Sequence, residues 1–170
     1  MPRPAVFIGS SSEGKKFALA VQTALQADAE ITTWNQGTFA LGQTFIEGLM
    51  EATSRSDFAI LMLTPDDIVQ SRSAEVASPR DNVIFELGLF MGKLGRDRTF
   101  ILQQRGSGLK IPTDLAGVVT SHYDWPRADM IHKAAVATAS EAIREKIQVL
   151  GRRDHSPEDV FLGLDPNLVV

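Results

Sequence analysis

The chain has 170 residues, 44% of them hydrophobic and 22% charged, a soluble-globular balance that fits one α/β-sized domain with a true core and excludes the disordered and fibrous classes. Its formal net charge is -4 at pH 7 and its sequence pI about 5.4, so no bulk basic field exists to hold a polyanion and nucleic acid is not expected as a partner. With no cysteine there is no disulfide framework, no thiolate nucleophile and no cysteine-based zinc site. His122, His132 and His155 lack metal-ligand spacing, so no metal is expected. The opening residues hold no hydrophobic segment long enough for a signal peptide, and no run reaches the ~20 apolar residues of a membrane span. The expectation is a cytoplasmic protein without membrane contact of its own.

In chain order, Ala5-Val-Phe-Ile8 is a β-prone run stopped by Gly9 and three serines, and reads as a buried strand. Ser10 and Glu13 have the spacing of a capping box, and Phe17, Val21, Ala24 and Leu25 recur at helical intervals, which predicts a helix over about 12–26. Residues 30–34 form the next strand and Asn35-Gln-Gly-Thr-Phe-Ala-Leu-Gly42 a loop. Phe45, Ile46, Leu49, Met50 and Thr53 mark a second amphipathic helix. Asp57-Phe-Ala-Ile-Leu-Met-Leu63 is a near-continuous apolar strand of the kind covered on both faces in a parallel sheet, and is the expected sheet centre.

Residues 64–78 mix Pro65, two aspartates, Arg72 and three serines, a long polar connection of the sort that carries function. Ser78-Pro79 then sets an N-cap before a first-turn proline, with Asp81 in the first turn, where its charge suits the helix dipole. Arg98-Thr-Phe-Ile-Leu102 is a fourth strand, Gly106-Ser-Gly108 a turn, 115–123 contains a short fifth strand, and 127–150 is a long final helix. Strands alternating with helices imply a parallel sheet covered on both faces. The expected fold is a flavodoxin-like three-layer α/β sandwich of about five strands in the order 2-1-3-4-5. Residues 1–150 make the domain; 151–170 have linker composition, either a native end or the link to a further domain.

One stretch raises a chemical question. Asn82-Val-Ile-Phe-Glu-Leu-Gly-Leu-Phe-Met-Gly92 carries a single carboxylate, Glu86, in an apolar, glycine-rich run, and an anion taken from water without partners is costly. On a helical wheel Asn82, Glu86, Leu89 and Lys93 share one narrow stripe against an apolar arc of Val83, Leu87, Phe90, Met91 and Leu94. The stripe alone reads as the wet edge of a buried helix. Its place after the long connection, near the carboxyl ends of the strands, makes Glu86 a candidate for glycosidic or acid–base chemistry.

The other candidates have two readings each. Phe7-Ile-Gly-Ser-Ser-Ser-Glu13 opens a helix whose backbone N–H groups could take phosphate, or could simply be capped by serine; no GxGxxG or GxxxxGK[ST] pattern accompanies it. Trp34 and Phe39 could stack on a base or belong to the core. Asp114, in Ile-Pro-Thr-Asp-Leu, could be a turn residue. A receiver domain is excluded, because its phosphoacceptor chemistry needs acidic residues where Ile8-Gly9-Ser10 ends the first strand.

Taken together, Val6-Phe-Ile-Gly-Ser-Ser-Ser-Glu13, Trp34-Asn-Gln-Gly-Thr-Phe39, Ser78-Pro-Arg-Asp-Asn-Val-Ile-Phe-Glu-Leu-Gly88 and Ile111-Pro-Thr-Asp-Leu115 resemble the TIR-like domains of bacterial anti-phage effectors, particularly those of TIR-STING and cyclic-nucleotide-triggered effectors. The resemblance implies NAD⁺ hydrolysis at the nicotinamide–ribose bond, with NAD⁺ as substrate and no cofactor, and Glu86 as the catalytic carboxylate. It further implies that Phe7, Gly9, Ser10 and Ser11 line the nucleotide pocket, with Arg80 and Asp81 at the rim and Asp114 facing it. Ser10, Asp81 and Glu86 are then expected around one cleft. Trp34 and the loop after it would meet a neighbouring subunit, so that activity needs a homo-oligomer or filament. A cyclic-nucleotide sensor, in the same chain or a partner, would supply the trigger. Two readings compete: a nucleoside 2-deoxyribosyltransferase-like enzyme, which also breaks an N-glycosidic bond with a glutamate, and a non-catalytic TIR assembly scaffold.

Overall fold

The computed structural model describes residues 2–34, 44–65, 67–71, 74–78, 81–109, 111–115 and 117–155. Strands β1 (Ala5–Ser10), β2 (Glu30–Trp34) and β3 (Phe58–Leu63) are separated by helices α1 (Lys15–Leu25) and α2 (Phe45–Arg55). A hairpin of β4 (Asp67–Ser71) and β5 (Ala74–Ser78) leads into helix α3 (Asp81–Leu94). Strands β6 (Thr99–Gln104) and β7 (Val119–Tyr123) and helix α4 (His132–Leu150) complete the described chain. The main sheet has the order β2-β1-β3-β6-β7 with every pair parallel. Counted over its own strands, that is the expected 2-1-3-4-5.

β3 lies at the centre and all of its residues are buried, as the unbroken apolar run requires of a strand covered on both sides. Alternation along β1 divides the core. Val6 and Ile8 pack with Phe17, Val21, Phe100 and Ile143 under α1 and α4, whereas Phe7 packs with Leu49, Leu61, Val83, Leu87 and Phe90 under α2 and α3. Among the described residues no helix is long and apolar enough to cross a membrane.

The structure corrects several local expectations. The polar connection before α3 contains the antiparallel pair β4–β5, in register from Asp67↔Ser78 to Ser71↔Ala74. A short hairpin satisfies its backbone donors locally, so it does not need a strongly apolar sequence. Ser78 therefore ends β5 instead of capping α3, which starts at Asp81; Pro79 and Arg80 are outside the described residues. The capping box proposed at Ser10 and Glu13 does not form, because Ser10 is the last residue of β1 and α1 begins at Lys15 behind Gly14. A capping box does close α2, where Thr44 accepts from the Glu47 N–H and the Glu47 carboxylate accepts from the Thr44 N–H. Ile46 and Met50 sit on the outer side of α2, 52% and 39% exposed, while Gly48, Leu49, Thr53 and Ser54 form its buried side. The final helix starts later than expected, since Asp129 binds the Arg127 guanidinium and accepts from the Ile131 N–H, holding a separate turn.

The first residues after α4 are tied to the domain. The Asp57 carboxylate, fully buried, accepts from the Ala5 N–H at 2.8 Å and the Arg153 N–H at 2.9 Å, with His155 Nε2 at 3.3 Å and Arg152 Nε at 3.7 Å. The Arg153 guanidinium donates to the Ser54 and Ser56 carbonyls, neutralising the exposed acceptors at the end of α2. The loop 35–42 and the rest of the tail, 156–170, are outside the described residues.

Candidate active site

Val83, Leu87, Phe90 and Leu94 recur at helical spacing and anchor α3 to the sheet. This seating carries Glu86 inward with them. Glu86 is 1% exposed, so the wet-edge reading of its stripe is overturned. The carboxylate can lie there because β1 has a glycine beneath it: a Cβ on Gly9 would stand 2.8 Å from Glu86 Oε2 and 2.7 Å from Leu61 Cδ1. Any side chain at position 9 would push into the acid.

Neither Glu86 oxygen has a hydrogen-bond partner among the described residues. Burial therefore acts unopposed and pushes the carboxyl up from its ordinary 4.5 to about 7. Aromatic rings stand beside it. Phe7 stacks on Phe90 with centroids 4.3 Å apart and meets Trp34 at 5.9 Å, and Trp34 packs edge-on against Phe45 at 6.2 Å. Gly9 and Trp34 are paired in register near the carboxyl ends of adjacent strands, the position where open α/β sheets bind ligands.

The structure thus brings Glu86, Gly9, Phe7 and Trp34 together. It does not bring the serine side chains to them. Alternation turns Ser10 toward α1, and a Cβ on Gly14 would lie 3.3 Å from Ser10 Cβ, so the expected cleft shared by Ser10 and Glu86 is not formed by their side chains. Ser11 Oγ accepts from the Gly14 N–H at 3.2 Å and shares a 2.8 Å hydrogen bond with Thr64 Oγ1, joining the ends of β1 and β3. Asp81 opens α3 and Asp114 lies in a short 3₁₀ turn, Thr113–Leu115; the side chains of both, like Phe39, are outside the described residues. Phe90 and Phe45 were missed as site residues. Phe90 had a signal, its i+4 spacing from Glu86, which places it one turn further along the same helix.

Residues 5–125 match the family model of the CAP12/Pycsar effector protein TIR domain. The chain belongs to this TIR domain family. It is 38% identical over 147 residues to the Pycsar effector protein BcPycTIR of Burkholderia cepacia, covering 86% of this chain and 48% of that protein. It is 40% identical over 147 residues to PaPycTIR of Pseudomonas aeruginosa, with the same coverage of 86% and 48%. It is 32% identical over 166 residues to the CD-NTase-associated protein 12 of a Lachnospiraceae bacterium, covering 97% and 51%. The TIR domain chain thus spans about half the length of these relatives. Its fold is shared with flavodoxin-like structures. A diflavin flavoprotein A3 from Nostoc sp. superposes with a TM-score of 0.50 at 12% identity, covering 88% of this chain and 99% of that one. A flavodoxin-like domain from Synechococcus sp. gives 0.50 at 17%, covering 85% and 97%.

Proposed function

We propose that this TIR domain hydrolyses NAD⁺ to nicotinamide and ADP-ribose as the effector of an anti-phage defence system, with Glu86 as its catalytic carboxylate. The observation that carries this reading is a buried acid with no cation and no donor among the described residues. Such a group is costly to the fold unless a ligand repays it, and the ligand that does so must bring positive charge. NAD⁺ brings it on the reacting ring itself. The pyridinium nitrogen has no lone pair to protonate, so the bond to ribose C1′ breaks with its electron pair passing to the ring, and nicotinamide leaves neutral. Positive charge moves onto the ribose as an oxocarbenium ion. Ionised Glu86 beside it stabilises that charge in a site emptied of water. Water then attacks C1′ and loses a proton, giving ADP-ribose.

One carboxylate is sufficient, whereas glycosidases that expel an alkoxide need a second acid. Base exchange on neutral nucleosides would offer Glu86 no cation, and a non-catalytic scaffold would give no return for burying it. The names of the relatives and the sequence resemblance support a cyclic-nucleotide trigger and assembly into an oligomer as the activating events. The test is chromatographic: NAD⁺ incubated with wild type and with Glu86→Gln at matched, high concentration. Nicotinamide release by the wild type and its loss in a folded variant support the reading. Equal rates from two equally stable proteins would remove Glu86 from the chemistry.

A further inference from the structure

Beneath α2, on the same face of the sheet as Glu86, lies a cavity of about 270 Å³ that the glycosidic chemistry does not use. Its origin is legible in the chain. Gly48, Ala52 and Ser56 follow at four-residue spacing and line it, so α2 turns a side without bulk toward β1 and β2. The inner wall is made by Phe7 and Trp34, the rings that also stand beside Glu86. At the rim Glu51 and Arg55 are paired at 2.5 Å, with side chains 25% and 68% exposed.

We infer that this cavity receives the adenosine end of the NAD⁺ whose nicotinamide end lies against Glu86. The inference rests on the proposed NAD⁺ hydrolysis and assigns the other half of the same substrate. Three features fit a purine nucleoside. The Phe7 and Trp34 rings offer π surfaces to a flat heterocycle. The Glu51 carboxylate is an acceptor for an exocyclic amine, and the Arg55 guanidinium, mostly in solvent at the mouth, is a donor to phosphate. The volume falls just below the ~300 Å³ at which complete small-molecule sites begin, so it suits half of a dinucleotide.

The spacing fits as well. The cavity runs down β1 from the Gly9–Trp34 pair to Ala5, four residues or ~13 Å at ~3.3 Å per residue. That length is of the order of an extended dinucleotide. An ordinary packing gap in a protein interior is much smaller and carries no ion pair at its edge.

Two measurements on the wild-type chain and its variants decide the matter. In the first, AMP is titrated against protein labelled with ¹⁵N-tryptophan, with the indole signal of Trp34 distinguished from that of Trp125. A saturable shift of the Trp34 signal is expected, abolished in Ala52→Leu, which fills the cavity. In the second, Ala52→Leu raises the KM for NAD⁺ at least tenfold while kcat stays within about twofold; Glu51→Gln, a rim change unable to disturb packing, raises KM in the same direction. An unmoved Trp34 signal at millimolar AMP, or an unchanged KM in folded Ala52→Leu, overturns the assignment even if NAD⁺ is cleaved. If the wild type cleaves no NAD⁺ but AMP still moves Trp34 and not its Ala52→Leu counterpart, the cavity binds a nucleotide and the hydrolase reading fails alone.

Discussion

Asp57 and Glu86 are carboxylates at 0% and 1% exposure, one just before the central strand and the other on the helix over its face. Asp57 has two backbone donors, a histidine and an arginine against it. Glu86 has no hydrogen-bond partner among the described residues, and a glycine where a side chain would displace it. The first arrangement is how a fold makes a buried anion tolerable, by joining the start of β1, the end of α2 and the segment after α4. The second leaves the whole penalty on one group. Burial alone therefore does not distinguish structure from chemistry; the set of partners does.

The sharpest way to break this comparison is to remove each charge in turn. Glu86→Gln keeps shape and helix propensity and should lower nicotinamide release on the order of 10²-fold or more. It should also stabilise the protein, an outcome a structural carboxylate would not give. Since the folded carboxyl titrates at about 7 and the unfolded one at 4.5, the folded state binds the proton more tightly. Its contribution is fully present below 4.5 and is lost as pH rises through about 7. Wild type should thus lose stability across that window and Glu86→Gln should not, leaving the variant more stable above it by on the order of 3 kcal/mol. Denaturant melts at both ends of the window read this directly.

Asp57→Asn should do the reverse, costing about 2 kcal/mol of stability in the same melts, because the Arg153 and His155 contacts lose their anion. Glycohydrolase turnover per folded molecule should change little. Gly9→Ala tests the fit between β1 and the acid. Its methyl meets Glu86 Oε2 and Leu61, and turnover should fall about tenfold, ~1.4 kcal/mol of barrier, as steady-state rates would show. Ser11→Ala removes one cap and one link to Thr64, and should cost about 1 kcal/mol of stability with turnover unchanged. A larger loss of activity there would return Ser11 to the pocket.

The architecture was legible because its signals are periodic. The apolar run 57–63, the alternation of helix and strand, and the strand order all follow from burial on two faces. The hairpin β4–β5 was not legible, since local antiparallel pairing leaves little hydrophobic signature among Asp, Ser and Gln. At the site, Glu86 stood out as a lone charge in an apolar run, but whether it was wet could not be read from a wheel. That depends on what lies across from it, and Gly9 is 77 residues away in the chain. The serines misled for the opposite reason: their position at a helix start suggested ligand binding, whereas strand alternation turned Ser10 to the other face. The tie between Asp57 and Arg153 joins distant segments through backbone groups, which no residue pattern announces.

The central claim is that Glu86 is a desolvated acid awaiting a cation, and a direct titration tests it. With ¹³C-labelled glutamate side chains, the carboxyl signal missing from Glu86→Gln is followed from pH 4 to 9, without and with NAD⁺. The account predicts a midpoint at about 7 in the free protein, falling when the pyridinium binds beside it. A midpoint at the ordinary 4.5, unmoved by NAD⁺, would contradict it.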